Sequence, residues 1–74
     1  MSSFNDFVKY SYYPECDKSI SKIVDALKSV GESDTSFWHR KRIAAANDIY
    51  GYAGKPIQNN RMLDLLQRGQ LKKA

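Results

Sequence analysis

The chain is poor in the residues that support disulfides, metal sites and proton transfer. Its 74 residues contain one cysteine, Cys16, and one histidine, His39. A lone cysteine cannot form an internal disulfide, and one cysteine with one histidine does not complete a zinc site. We therefore expect no metal and no other cofactor, and we expect Cys16 to be a partly buried or free thiol.

Long apolar runs are also missing. No stretch approaches the ~20 residues that a membrane-spanning helix requires. The first residues, MSSFNDFVKYSYY, lack the basic-then-apolar order of a secretory signal peptide. If the protein acts outside a cell, we expect another export route or excision from a larger chain.

The remaining composition describes one small, positively charged domain. Apolar residues make up 42% of the chain, which is enough for a packed core. A chain of 74 residues is nevertheless too short for two lobes around a deep catalytic cleft. Twelve basic and eight acidic residues give a formal net charge of +4. This excess favours polyanionic partners such as nucleic acid, anionic lipid or the phosphate-rich polymers of bacterial walls.

Three segments have helical periodicity, and together they predict an all-α fold. The first runs from Ser19 or Ile20 to Val30, with one apolar face and Gly31 at its end. The second runs from about Phe37 to Ala46. The third runs from Pro56 to Arg68, with proline at the first helical position and Gly69 as the stop.

The predicted organisation is a three-helix binding module over residues 19–74, preceded by an extended N-terminal segment over residues 1–18. The extended segment follows from Val8, Tyr10 and Tyr12, which alternate with polar residues.

The helix ends also carry specific expectations. Asp17 or Ser19 can cap the first helix, because their side-chain oxygens accept hydrogen bonds from backbone N–H groups. Asn47 can adopt the left-handed conformation that ends the second helix. Leu71 should fold back onto the core.

Two tyrosines lie in the glycine-rich bend between the second and third predicted helices. The bend, residues 49–54 with the sequence IYGYAG, contains Tyr50 and Tyr52. Side chains in a bend contribute little to a core, so we expect both rings at the surface. There an aromatic face can pack on the C–H face of a sugar while the hydroxyl forms a hydrogen bond. Such a bend suits a contact surface better than a reaction centre.

Several stretches match a known pattern, and the region that contains them spans about 55 of the 74 residues. They are SISKIVDALKSVG from residue 19, residues 36–49 with the core Arg-x-x-Ile-Ala-x-Ala-Asn from residue 40, Tyr-Ala-Gly from residue 52, Gln58-Asn59, and Met-Leu-x-Leu-Leu-x-x-Gly-x-Leu from residue 62. In this order they resemble the small C-terminal module of bacterial and phage peptidoglycan hydrolases. That family includes N-acetylmuramoyl-L-alanine amidases and lysozyme-type muramidases.

The resemblance implies an endolysin-like, amidase-associated module without catalytic activity. Such a module would bind peptidoglycan or an associated wall polymer, and would direct a covalently linked catalytic domain to the bacterial cell wall or extracellular space. The sequence departs from the family where Asp48 replaces a usual glycine. Lys55-Pro56 also replaces a usual Gly-Thr, so the capping box that Thr would form with Gln58 should be lost. These 74 residues contain no hydrolase domain, so we expect either an excised fragment of a larger protein or a free-standing relative of the module.

The aromatic candidates for ligand binding are Tyr50, Tyr52 and Trp38, followed by Tyr13 and Tyr12. Carbohydrate binding would use their rings for stacking and their polar edges for hydrogen bonds. A place in the core is the structural alternative, above all for Trp38, because so small a domain needs large apolar side chains for its interior.

The polar candidates are two arginines and three amides. Arg40 and Arg42 could hold peptide carboxylates or teichoic-acid phosphates. Gln58, Asn59 and Asn60 could form hydrogen bonds to acetamido or hydroxyl groups of a glycan. Alternatively, the arginines form a solvated helix face and the amides cap the third helix.

Catalysis by this chain is not expected. Asp25 and Asp64 should face water on their helices, and His39 has no carboxylate nearby in sequence to orient it. Neither a nucleophile elbow nor a phosphate-binding glycine loop occurs.

Two other functions remain open from the sequence. Arg40, Lys41 and Arg42 on one helix could contact a nucleic-acid backbone, although the linker before that helix is longer than a helix-turn-helix turn. Alternatively, the tyrosine-containing bend could bind a protein partner as an adaptor. Salt would separate DNA from glycan, because phosphate-driven binding weakens steeply as salt rises.

Overall fold

The computed structural model describes residues 11–74, which form three α-helices. We number them α1 (Ile23–Ser29), α2 (Phe37–Ala46) and α3 (Pro56–Gln67). Within these residues the only β-pairing is an isolated antiparallel bridge, so the predicted all-α, three-helix fold is confirmed. The helix pair α1 and α3 makes the main contact between helices. None of the helices in the described part of the chain has the length and apolar character needed to cross a membrane.

Helix α2 begins and ends at the predicted residues, and α3 nearly does. Ser36 caps α2, because its hydroxyl oxygen accepts a hydrogen bond from the His39 N–H at 3.3 Å. Helix α3 starts at Pro56 as predicted and ends one residue early, with Arg68 as its C-cap. Gly69 follows with φ +69°, which confirms it as the stop.

The start of α1 differs from the prediction. The helix begins at Ile23, and its N-cap, Lys22, makes no side-chain capping bond. Asp17 closes a turn ahead of the helix instead, where its carboxylate accepts a hydrogen bond from the Ser19 N–H at 2.8 Å. The prediction that Asp17 or Ser19 caps the helix is therefore wrong, because a local side-chain-to-backbone turn competes with helix formation there.

The left-handed residue after α2 is Asp48 rather than Asn47. Asp48 has φ +61° and is the single non-glycine with positive φ in residues 11–74, whereas Asn47 has φ −110°. The amide of Asn47 is engaged elsewhere. It donates to the Lys72 carbonyl at 2.9 Å and accepts from the Lys72 N–H at 2.8 Å. These bonds hold Asn47 at the helix end, and the chain reverses at the next residue.

The core is built from all three helices and from both ends of the described chain. Tyr13 and Cys16 are buried on its N-terminal side, and Leu71 is 0% exposed, as predicted. Burial raises the pKa of the Cys16 thiol, so the sulfur stays protonated at neutral pH. The largest fully buried side chains are Leu27, Ile43, Met62, Leu66 and Leu71.

The two ends of the described chain pair with each other. The Tyr13 N–H donates to the Leu71 carbonyl at 2.9 Å, and the Lys73 N–H donates to the Ser11 carbonyl at 2.9 Å. Tyr12 and Lys72 form the antiparallel bridge between these bonds. Of the residues from which an extended segment was predicted, Tyr12 lies in this bridge, while Val8 and Tyr10 lie outside the described residues.

Replacing Asp48 by glycine should stabilise the protein. The left-handed conformation costs an L-residue about 1–2 kcal/mol, less for Asp, and costs glycine nothing. We expect Asp48→Gly to raise the free energy of unfolding by roughly 0.5–1 kcal/mol, measured by urea denaturation. Gly51→Ala is the reciprocal control, because its φ is +68° and an added methyl group meets open space. It should lower stability, and a loss of stability in both variants would contradict the prediction.

Candidate functional site

The bend places its two tyrosines in opposite environments. Tyr50 is 73% exposed, whereas Tyr52 is 4% exposed. The expectation that both rings lie at the surface is therefore right for Tyr50 and wrong for Tyr52. The Tyr52 ring packs beside Phe37, with 5.5 Å between the ring centroids. A ring enclosed in this way offers no face to a sugar in this conformation.

The hydroxyl of Tyr52 joins α2, the bend and α3. It donates a hydrogen bond to Asn59 Oδ1 and accepts one from Arg40 Nη1 at 2.8 Å. Arg40 also donates through Nε to the Thr35 carbonyl at 3.1 Å and through Nη1 to Asn59 Oδ1 at 3.5 Å. Asn59 donates through Nδ2 to the Gly54 carbonyl at 3.2 Å. We call Tyr52, Arg40 and Asn59 the Tyr52 network.

Gln58 fixes the backbone of the bend. Its Oε1 accepts hydrogen bonds from the N–H groups of Ala53 at 2.8 Å and Lys55 at 3.2 Å, and its Nε2 donates to the Gly51 carbonyl at 3.0 Å. The bond from Lys55 is one half of a capping box, so the expected loss of the box is only half right. The other half is excluded because a lysine ammonium cannot accept a hydrogen bond.

A second polar cluster joins the N-terminal segment to α2. The hydroxyl of buried Tyr13 donates to Glu32 Oε2, and His39 Nε2 lies 3.3 Å from the same oxygen. Arg42 Nη2 lies 3.2 Å from His39 Nδ1. The expectation that no carboxylate orients His39 is wrong, because the linker before α2 brings Glu32 to it. Sequence reasoning missed Glu32, whose contacts come from residues far apart in the chain.

The protonation states in this cluster follow from its contacts. Because arginine only donates, His39 Nδ1 is the acceptor in its contact with Arg42, and Nε2 is the ring nitrogen next to Glu32. Nε2 is buried and close to the carboxylate, without hydrogen-bond alignment. Burial raises the pKa of Glu32, but hydrogen bonds from Tyr13 and the Asp34 N–H more than offset it, so its pKa is below the usual value. Burial and the Glu32 carboxylate raise the pKa of Tyr13, which keeps the phenol protonated.

The outer face of α2 carries an exposed aromatic ring with basic neighbours. Trp38 is 67% exposed, so it does not lie in the core, which was the structural alternative for this residue. Its ring meets Phe37 edge-on, with 5.2 Å between centroids and 84° between planes. Lys41 Nζ lies 5.5 Å from the Trp38 centroid, within the range of a cation–π contact. Arg42 is exposed on the same helix. We call Trp38, Lys41 and Arg42 the α2 surface.

One exposed apolar residue was not selected from the sequence. Ile57, in the first turn of α3, is 78% exposed. A signal was present, because Ile57 lies off the apolar face that Met62, Leu63 and Leu66 define on that helix.

A concavity of about 320 Å³ lies between the starts of α1 and α3. Residues 21–24 line one side, Pro56, Asn59 and Asn60 line the other, and Arg40 of α2 completes it. No acidic side chain is among these lining residues. Sequence reasoning selected Arg40 and Asn59 separately, and the fold brings them to one place. A second concavity, of about 490 Å³, lies near the paired chain ends at Tyr12 and Lys72.

Comparisons of the chain with protein families, curated proteins and solved structures found no match. The resemblance to a wall-binding module therefore stays a prediction from the sequence.

Removing the Tyr52 hydroxyl should destabilise the fold. Tyr52→Phe removes the hydroxyl that accepts from Arg40 Nη1 and donates to Asn59 Oδ1 in a partly buried place, and losing these two bonds costs about 1–3 kcal/mol of unfolding free energy. Urea denaturation measures the change. Tyr50→Phe is the matched control, because that ring is exposed, and it should change stability by less than about 0.5 kcal/mol. Equal effects in the two variants would mean that the Tyr52 network does not support the bend.

Glu32 should make stability depend on acid pH. A carboxyl whose pKa is lowered by folding stabilises the protein above its unfolded pKa, and this contribution is lost as pH falls through the folded pKa. The melting temperature of the parent chain should therefore exceed that of Glu32→Gln by the largest amount near pH 7. This difference should shrink as the pH falls below about 4. Glu15→Gln, at an exposed site, is the control and should track the parent chain. A Glu32→Gln difference that does not change with pH would contradict the assignment.

Proposed function

We propose that this chain is a non-catalytic module that binds a bacterial cell-wall polymer and targets a covalently linked lytic enzyme to it. The supporting observation is the exposed Trp38 ring on α2, with Lys41 beside it and Arg42 on the same helix. An exposed aromatic face beside two cations suits a ligand that has both an apolar face and negative charge.

The mechanism is stacking on a supported ring. The indole face packs on the C–H face of a pyranose, and its N–H donates a hydrogen bond to the sugar. Trp38 leans on Phe37, and Phe37 in turn packs beside buried Tyr52. This support restricts the ring before the ligand arrives, so less conformational entropy is lost on binding.

The charges of the α2 surface add attraction to an anionic wall. Lys41 and Arg42 are exposed, so they raise the local concentration of a negatively charged polymer and are screened by salt. A shallow site of this kind is weak by itself. Attachment to an enzyme, or many copies of the ligand in the wall, then supplies retention by raising the effective concentration.

The predicted ligand-binding residues divide into two groups under this proposal. Trp38, Arg42 and Tyr50 present groups to the polymer directly. The others do not contact the polymer and instead stabilise the structure around the site. Tyr52, Asn59 and Gln58 hold the bend, and Tyr13 holds the linker before α2 through its hydrogen bond to Glu32. Arg40 supports the bend through its Nη1 bonds to Tyr52 and Asn59, and its Nη2 makes no hydrogen bond within residues 11–74.

A nucleic-acid ligand is the second candidate, and the same α2 surface favours it. Nucleobases stack on exposed aromatic rings while neighbouring lysine and arginine contact phosphates. An adaptor role is favoured by Tyr50 and Ile57, which are both exposed.

Co-sedimentation of the purified chain with Gram-positive cell walls tests the proposal. The walls are used before and after removal of teichoic acids, at low and high salt. We expect retention on stripped walls at high salt, because ring stacking is little screened. Trp38→Ala should lower wall affinity by about tenfold, which corresponds to the ~1.4 kcal/mol of one good stacking contact. Its helical content should be unchanged, as measured by circular dichroism.

Ile57→Ala is the matched control, because it also removes an exposed apolar side chain but lies on another helix. Loss of binding in high salt would leave only charge attraction to the wall. No sedimentation of the parent chain at all would refute wall binding and favour the nucleic-acid or adaptor function.

A further inference from the structure

Arg40 is a cation without an acidic partner in the described chain. Its Nε and Nη1 donate to the Thr35 carbonyl, the Tyr52 hydroxyl and Asn59 Oδ1, which are all neutral acceptors. The side chain is partly buried, and no carboxylate of residues 11–74 forms an ion pair with it. A guanidinium stays charged, and charges withdrawn from water are normally paired. The positive charge of Arg40 is thus held in place but not neutralised.

The unused donors of Arg40 have a fixed position. Within the described chain Nη2 makes no hydrogen bond, so both of its N–H groups remain available. The bonds through Nε and Nη1 already hold the guanidinium plane, so the side-chain entropy has been lost on folding rather than on binding. This distinguishes Arg40 from the exposed Lys41 and Arg42.

The concavity around Arg40 has one sign of charge. Lys22, the N-cap residue of α1, is among its lining residues, and the amides of Asn59 and Asn60 line the α3 side. None of its lining residues is acidic. Its volume, about 320 Å³, is at the small end of the range for ligand sites. That size suits one charged group with a short attachment better than a length of polymer.

We propose that this concavity is a second binding site, which takes an anionic oxygen group, carboxylate or phosphate, of the polymer bound by the α2 surface. The proposed function is needed only to say that the anionic group belongs to a cell-wall polymer. The anion site itself does not depend on it. Nη2 of Arg40 donates to the anionic oxygen, Lys22 adds a second positive charge, and the Asn60 amide is the additional donor. Trp38 does not line the concavity. The two sites therefore recognise different parts of a ligand, one by stacking and one by charge.

Nuclear magnetic resonance titration of the full chain with three small probes tests the site. The probes are N-acetyl-D-alanyl-D-alanine, its C-terminal carboxamide, and glycerol 3-phosphate. We expect saturable shifts of the Arg40 side-chain N–H and the Asn60 amide with one or both of the anionic probes, and no shifts with the carboxamide. A response to the dipeptide alone identifies a peptide carboxylate as the source, and a response to glycerol 3-phosphate alone identifies a phosphate polymer. Equal responses to the carboxamide and the dipeptide, or no response to either anion, would overturn the proposal.

Two charge reversals, one at the N-cap of α1 and one within α1, distinguish the site from general attraction of anions to a basic protein. Lys22→Glu and Lys28→Glu change the net charge equally, and both side chains are exposed, but only Lys22 lines the concavity. Lys22→Glu should weaken anion binding by about tenfold, while Lys28→Glu should change it less than about twofold. Equal weakening by the two variants would refute a localised site. Arg40 is not replaced, because its hydrogen bonds hold the bend.

Failure of this site and failure of the proposed function give different results. If the chain sediments with walls and no anionic probe shifts the Arg40 or Asn60 signals, the concavity is not a site and wall binding stands. If an anionic probe binds with the expected Lys22 dependence and no walls are bound, the concavity is an anion site and wall binding is refuted.

Discussion

The hydroxyl of Tyr52 is the group on which the arrangement of the site depends. A buried phenol must have hydrogen-bond partners, because a lone polar group in a partly dry environment is costly. Arg40 of α2 and Asn59 of α3 supply those partners, so satisfying one hydroxyl fixes two helices and the bend relative to one another. The Tyr52 ring then supports Phe37, and Phe37 supports Trp38. Tyr52 therefore helps to position both the exposed Trp38 ring and the partly buried Arg40 guanidinium.

The helices could be predicted because their apolar spacing and end residues are local signals. Ser36 and Ala46 bound α2 as the pattern indicates, and Pro56 and Gly69 bound α3. The start of α1 could not be predicted in the same way, because the turn at Asp17 competes with helix formation over only a few residues. The site was less predictable still. Nothing local distinguishes Tyr50 from Tyr52, since the burial of Tyr52 depends on partners from two other elements.

The basic residues of α2 have different roles although they are adjacent in sequence. Arg40 is tied to neutral acceptors and lines a concavity, whereas Lys41 lies over an exposed indole. Arg42 contacts His39, and the charge of Glu32 lies on the far side of that ring. The net charge of the chain therefore says little about binding until the contacts of each charged side chain are known. Composition indicated an anionic partner, and only the fold separates a fixed charge from a solvated one.

The pairing of Ser11–Tyr13 with Leu71–Lys73 has a mechanical consequence. Antiparallel segments pulled apart from their outer ends separate one hydrogen bond at a time, with Lys73 N–H to Ser11 O first and Tyr13 N–H to Leu71 O next. Tension applied between Ser11 and Lys73 would therefore separate these two hydrogen bonds in sequence and pull Leu71 away from Tyr13. Tension between one chain end and a ligand on α2 would not pull the paired ends apart from each other. The pairing of the two ends is therefore kept under tension when the domain is attached to another molecule at one end only.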